Sequence, residues 1–253
     1  MTALATADAP ATQRRTRTFP VIEIFGPTIQ GEGAEAGLPT HFVRFGGCDY
    51  RCSWCDTMYA VDPGTVRATA ERLATEDIIA RVRALGPGPR WVTLSGGNPA
   101  LQHASELVEA LRDAGFLIAA ETQGSVWRRW LTKLDRLTIS PKPPSSGMAT
   151  HRHAEQFATF MKAATTTANR AVLKIVCFDH ADLAWAKSVA NAYPHLPLYL
   201  SAGTPVPAPT DLRNAVGDRY RWLCEQVASD PAFANARILP QLHVIAWKEA
   251  TGV

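Results

Sequence analysis

Three cysteines crowd into GGCDYRCSWCDT at 46–57, where Cys48, Cys52 and Cys55 follow a Cys-x3-Cys-x2-Cys spacing. Thiolates are the ligands that iron–sulfur clusters prefer. Three of them in one tight loop can bind three irons of a 4Fe–4S cubane and leave the fourth iron without a protein ligand. Such an open iron can chelate the amino and carboxylate groups of S-adenosylmethionine (SAM) and pass an electron to its sulfonium. Trp54, between the second and third cysteines, suits a shielded loop. Structural zinc competes with this reading, but it wants four ligands, usually as two separated Cys-x2-Cys pairs. Its fourth ligand would have to be Asp49, Asp56, His41 or a distant residue. Cys177, in the apolar run AVLKIVCF, and Cys224, in an expected helix, read as buried small hydrophobes. An odd number of cysteines, three of them clustered, does not make a disulfide scaffold.

Other residue types point to ligand binding. In EIFGPTIQGEG at 23–33, Gln30 and Glu32 can both accept from the amine and ring N–H groups of a planar heterocycle, although a polar turn explains them as well. Arg44 lies in the otherwise apolar THFVRFG and needs a partner; a carboxylate ligand or a structural salt bridge would serve. In LSGGNP, Gly96 and Gly97 let backbone approach a ligand closely, or simply turn a strand into a helix. Glu121 in ETQGS can accept from polar ligand groups. Lys142 in SPK is a cation for an anionic group or a solvated loop charge.

The elements that must position these residues alternate in type. Strands are expected at 21–25, 40–46, 91–95, 116–122, 136–141, 171–177, 196–201 and 237–243, and helices at about 75–85, 101–114, 154–164, 180–192 and 211–229. Thr75 with Glu76 and Asp77, and Asp211, are helix-start signals. Strands separated by helices imply βαβ units and a parallel sheet. PKPPSSGMATHRH at 141–153 and AGTPVPAPT at 202–210 are expected loops that follow strands directly, at the end of an α/β sheet where sites are built.

The chain has 253 residues, 46% of them hydrophobic, enough for one substantial core. No run approaches the roughly 18 apolar residues of a membrane span. A net charge of +3, with both signs interspersed, argues against a nucleic-acid surface. Residues 1–18, rich in Ala, Thr and Arg, read as a disordered leader, and 19–253 as a single domain.

The cysteine loop resembles that of the radical SAM superfamily. More narrowly, the chain from about Val21 onward resembles the 7-carboxy-7-deazaguanine synthases of queuosine biosynthesis, on EIFGPTIQGEG, HFVRFGGCDYRCSWCDT, TLSGGNP and the closing PQLHVIAW. The resemblance implies an α/β fold, a shortened, partly open (β/α) TIM-like barrel. It implies that a reduced cluster splits SAM to a 5′-deoxyadenosyl radical, which takes hydrogen from C6 of 6-carboxy-5,6,7,8-tetrahydropterin. The ring then contracts and loses ammonia. It also implies SAM contacts from Trp54, Asp56, Gly96, Gly97, Asn98, Glu121, Ser140, Pro141, Lys142, Ser201 and Thr204. Asn98 stands where the superfamily usually has Glu, so its contact with the SAM amino group lacks charge. Substrate contacts are implied for Ile29, Gln30, Gly31, Glu32, Arg44, Ser95, His243 and the terminal Val253, although this chain ends in WKEATGV where a WGN-type ending is usual. Thr57 would coordinate Mg2+. A homodimer, a flavodoxin or ferredoxin as electron donor, a cytoplasmic location, and no membrane or nucleic-acid partner complete these expectations. A radical SAM activase that makes a protein radical would share the cysteine spacing.

Overall fold

The run AVLKIVC shows why this chain builds a parallel sheet: all seven of its residues are buried, as a strand covered on both faces requires. The structure, a computed structural model, describes residues 17–164, 170–205 and 210–247. Its strands are β1 (Thr18–Ile29), β2 (Pro39–Phe45), β3 (Glu71–Ala74), β4 (Trp91–Gly96), β5 (Leu117–Thr122), β6 (Arg136–Ile139), β7 (Ala171–Cys177), β8 (Leu198–Ala202) and β9 (Arg237–Leu239). They form one sheet in the order β3-β1-β2-β4-β5-β6-β7-β8-β9. From β2 to β9 every neighbouring pair is parallel, while β1 runs antiparallel to β2 and to β3. The outer strands β3 and β9 do not pair, so the α/β barrel is open.

The helices are α1 (Pro63–Thr69), α2 (Thr75–Ala84), α3 (Ser105–Asp113), α4 (His151–Ala164), α5 (His180–Ala192), α6 (Leu212–Ala228) and α7 (Leu242–Trp247). Asp179 caps α5 by accepting from Asp182 N at 2.9 Å, and Asp211 caps α6 by accepting from Asn214 N. The core runs continuously from Phe19 and Phe45 through Leu94, Ile118, Leu137 and Leu173 to Leu200 and Phe233. Among the described residues no helix is long and apolar enough to cross a membrane.

The elements differ from expectation where short-range signals outweigh periodicity. Residues 237–243 are not one strand: β9 stops at Leu239, before Pro240, and α7 takes over at Leu242. The expected loop at 141–153 ends at Thr150, because the first turn of α4 starts at His151. The helix expected from 101 begins at Ser105, behind a 3-10 turn at Pro99–Leu101. β1 runs on to Ile29 through a register shift between Phe25 and Thr28. β3 and α1 were not anticipated. Four residues are too few for a clear alternation, and α1 buries no residue, so it has no apolar stripe to read. Its start was nevertheless written in Asp62-Pro63, with Asp62 accepting from Thr65 N at 2.7 Å.

Candidate active site

The C-terminal ends of the parallel strands open onto a cavity of about 460 Å³. Cys48, Cys52 and Cys55 line it, on the loop that leaves β2. Backbone bonds tie the base of that loop to its neighbours, from Gly47 N to Ala60 O and from Asn98 N to Gly47 O, both 2.8 Å. Its far side rests on the loop after β6: Ser53 N donates to Ser146 O at 3.0 Å and Trp54 Nε1 to Ser145 Oγ at 3.0 Å. Ser145 is in turn held by the buried Asp182, Oγ to Oδ2 at 2.6 Å. Gly97 lies so close under the loop that a Cβ there would meet the Gly47 carbonyl and come within 2.8 Å of Cys48 Cβ. Burial pushes the Cys52 thiol up to about 11 and raises Cys48 as well, with the Lys142 ammonium opposing both.

The other wall is polar. Arg44 meets Glu23 at 2.5 Å through Nε, Tyr59 donates its hydroxyl to the same carboxylate oxygen at 3.0 Å, and the guanidinium lies over the Phe25 and Tyr59 rings. The partner that the strand arginine needs within the protein is therefore Glu23. Deeper in, Lys174 pairs with both Glu32 and Glu121, the latter at 2.7 Å. Gln241 donates to Glu32 at 2.7 Å and accepts from the Thr204 hydroxyl. Burial would raise the Glu32 carboxyl, yet Lys174 and His243 hold it down to about 2.

Most of the residues singled out in the sequence share this one cavity: Ile29, Gln30, Gly31, Glu32, Arg44, Trp54, Asp56, Thr57, Ser95, Gly96, Gly97, Glu121, Lys142, Thr204 and His243 all line it with the three cysteines. Ser140, Pro141 and Ser201 are buried behind the wall. Asn98 is also buried, and it is fully engaged. Its carbonyl accepts from Ala100 N and the Thr122 hydroxyl, and its amide donates to Asp49 and Ser125. It braces the cysteine loop from behind. Val253 lies outside the described residues, as do the first sixteen residues of the expected leader. Sequence reasoning missed Lys174, Glu23, Tyr59, Gln241 and Gln123, the last a cavity residue whose amide donates to Asp49 at 2.7 Å. The signal for Lys174 was available: like Arg44, it is a lone cation in an apolar strand.

The donor set fits an iron–sulfur cluster with SAM. Three thiols from one loop face the cavity, the soft donor set that an iron–sulfur cluster takes. Ser95 Oγ, on the cavity wall, is buried without a hydrogen-bond partner, as a site awaiting a polar ligand would be.

No family model matches the chain. It is 40% identical over 240 residues to the 7-carboxy-7-deazaguanine synthase of Bacillus subtilis (strain 168), covering 93% of this chain and 98% of that one. The chain belongs to the 7-carboxy-7-deazaguanine synthase family. It is likewise 40% identical over 241 residues to the Bacillus cereus synthase, covering 93% and 99% of the two chains. The crystal structure of QueE from Escherichia coli matches its fold with a TM-score of 0.64 at 22% identity, over 89% of this chain and 95% of that one. As a member of this family the chain is a radical SAM lyase, with a 4Fe–4S cluster and SAM as cofactors and a small-molecule substrate.

Proposed function

We propose that this chain converts 6-carboxy-5,6,7,8-tetrahydropterin to 7-carboxy-7-deazaguanine with loss of ammonia, using the cavity at the C-terminal rim of its open barrel. Family membership, at 40% identity over nearly the whole chain, carries this reading. When bound, the cluster and SAM supply one-electron, hydrogen-abstracting chemistry. The residues of the chain bind, orient and shield. Cys48, Cys52 and Cys55 hold the cluster, and Trp54, Asp56, Gly96, Gly97, Lys142 and Thr204 form the SAM side of the cavity. Ser140, Pro141, Ser201 and Asn98 support that side from behind. On the substrate side Glu23 occupies the Nε edge of Arg44, which leaves the terminal guanidinium nitrogens to grip the substrate carboxylate. Ile29, Gln30, Gly31, Glu32 and Ser95 face the heterocycle, and His243 closes over it from α7.

Thr57, on the cavity wall 3.7 Å from Cys55 Sγ, would take Mg2+ together with substrate oxygens. A homodimer, a flavodoxin-type or ferredoxin-type electron donor and a cytoplasmic location belong to the same reading. So does a single catalytic domain spanning 19–253, supported by the continuous core. The product equals the substrate less ammonia, so no net oxidant is consumed. Anaerobic reconstitution followed by mass analysis of a reaction with SAM, dithionite and the pterin tests the proposal. The expected product is lighter than the pterin by one ammonia, with SAM not consumed in proportion. SAM cleavage without that product would contradict it.

A further inference from the structure

Lys174 lies mid-strand in β7, every residue of which is buried, and its own side chain is only 3% exposed. An ammonium at such depth must be paired. It is paired twice, with Glu32 from the loop after β1 and with Glu121 at the end of β5. One carboxylate would satisfy a structural ion pair. The second leaves the trio with an excess negative charge on the cavity wall, where the two carboxylates keep partial exposure and Lys174 lies behind them. Of the surrounding charged groups, Glu35 is already paired with Arg136 at 2.7 Å, while His243 faces Glu32 from α7 and opposes part of that excess at the Glu32 end only. Both oxygens of Glu32 are oriented, one by Lys174 and the other by Gln241, and each oxygen keeps a further lone pair.

We propose that Lys174 is a positioning residue for the substrate, clamping Glu32 and Glu121 into one acceptor surface for the donor-rich amino-pyrimidine edge of the heterocycle. Glu121 then belongs to the substrate side of the cavity and not to the SAM side. The inference rests on the proposed reaction and names the subsite within it. With its ammonium partner in place, Glu32 is a carboxylate throughout the neutral range. Without Lys174, burial works against that charge with only His243 and Gln241 opposing.

Two variants of the cluster-loaded enzyme test this, Lys174→Met and Glu121→Gln. The second keeps the Lys174–Glu32 pair balanced and guards against a folding defect in the first. Readouts are pterin KM and kcat, equilibrium binding of SAM, and the pH profile of kcat/KM. Each variant should raise the pterin KM by roughly 10- to 100-fold, as loss of a charge-assisted hydrogen bond does, with SAM affinity unchanged. Lys174→Met should also gain an acid-to-neutral dependence of kcat/KM that the wild type lacks, and Lys174→Arg should recover much of the KM. An unchanged pterin KM in Glu121→Gln, or a loss of SAM affinity in its place, would overturn the proposal alone. A wild type that makes no deazaguanine would overturn the reaction and the proposal with it.

Discussion

Arg44 is an instructive residue because its two candidate partners turn out to be compatible. Glu23 and Tyr59 fix the guanidinium from one side, and the aromatic rings of Phe25 and Tyr59 hold its face. Glu23→Gln removes the ionic hold without removing the shape. It should raise the pterin KM about tenfold, with kcat reduced less, in steady-state kinetics of the reconstituted enzyme. Glu35 offers a separate test through stability. Burial raises its carboxyl to about 7 despite Arg136, whose side chain is a third exposed so that water screens part of its attraction. A carboxyl whose folded value lies above its unfolded value of 4.5 contributes most below that value, and the contribution is lost as pH rises through 7. Glu35→Gln should therefore be progressively more stable than the wild type from pH 5 to pH 8, by on the order of 2 kcal/mol at the upper end, in thermal or denaturant unfolding.

At the scale of elements, the site depends on how tightly strand ends and loops approach one another. Gly97 follows β4 and has no room for a side chain beneath the cysteine loop. Gly97→Ala should lower the iron and sulfide bound per chain after reconstitution while leaving far-UV circular dichroism unchanged. Gly31 presents the same situation on the substrate side, where a Cβ would run into the His243 ring and come within 2.9 Å of its backbone nitrogen. Gly31→Ala should push α7 outward, raising the pterin KM and leaving cluster content intact. These contacts join segments far apart in the chain, so spacing alone could suggest close backbone approach at Gly96 and Gly97 but could not say against what. The same holds for Asn98. Its type was read as a weaker ligand contact, whereas its neighbours use all of its hydrogen-bonding capacity to brace Asp49, Ser125 and Thr122.

For the whole molecule, the parallel α/β architecture was legible because its strands are buried apolar runs and its main helices are amphipathic or capped. β3, α1 and α7 were not, because each is too short to show a period. The cysteine loop could be read directly, since its chemistry lies within eight residues. The acceptor wall could not, since Glu32, Glu121, Lys174 and Gln241 meet only after β1, β5, β7 and the segment behind β9 share one rim. Everything else presupposes that the three thiols carry a cluster with one iron open to SAM. Electron paramagnetic resonance of the anaerobically reconstituted, dithionite-reduced protein, with and without SAM, tests this most directly. A reduced-cluster signal should change on adding SAM and should vanish when Cys48, Cys52 and Cys55 are replaced by alanine. A signal indifferent to SAM, or one that survives those replacements, would contradict the account.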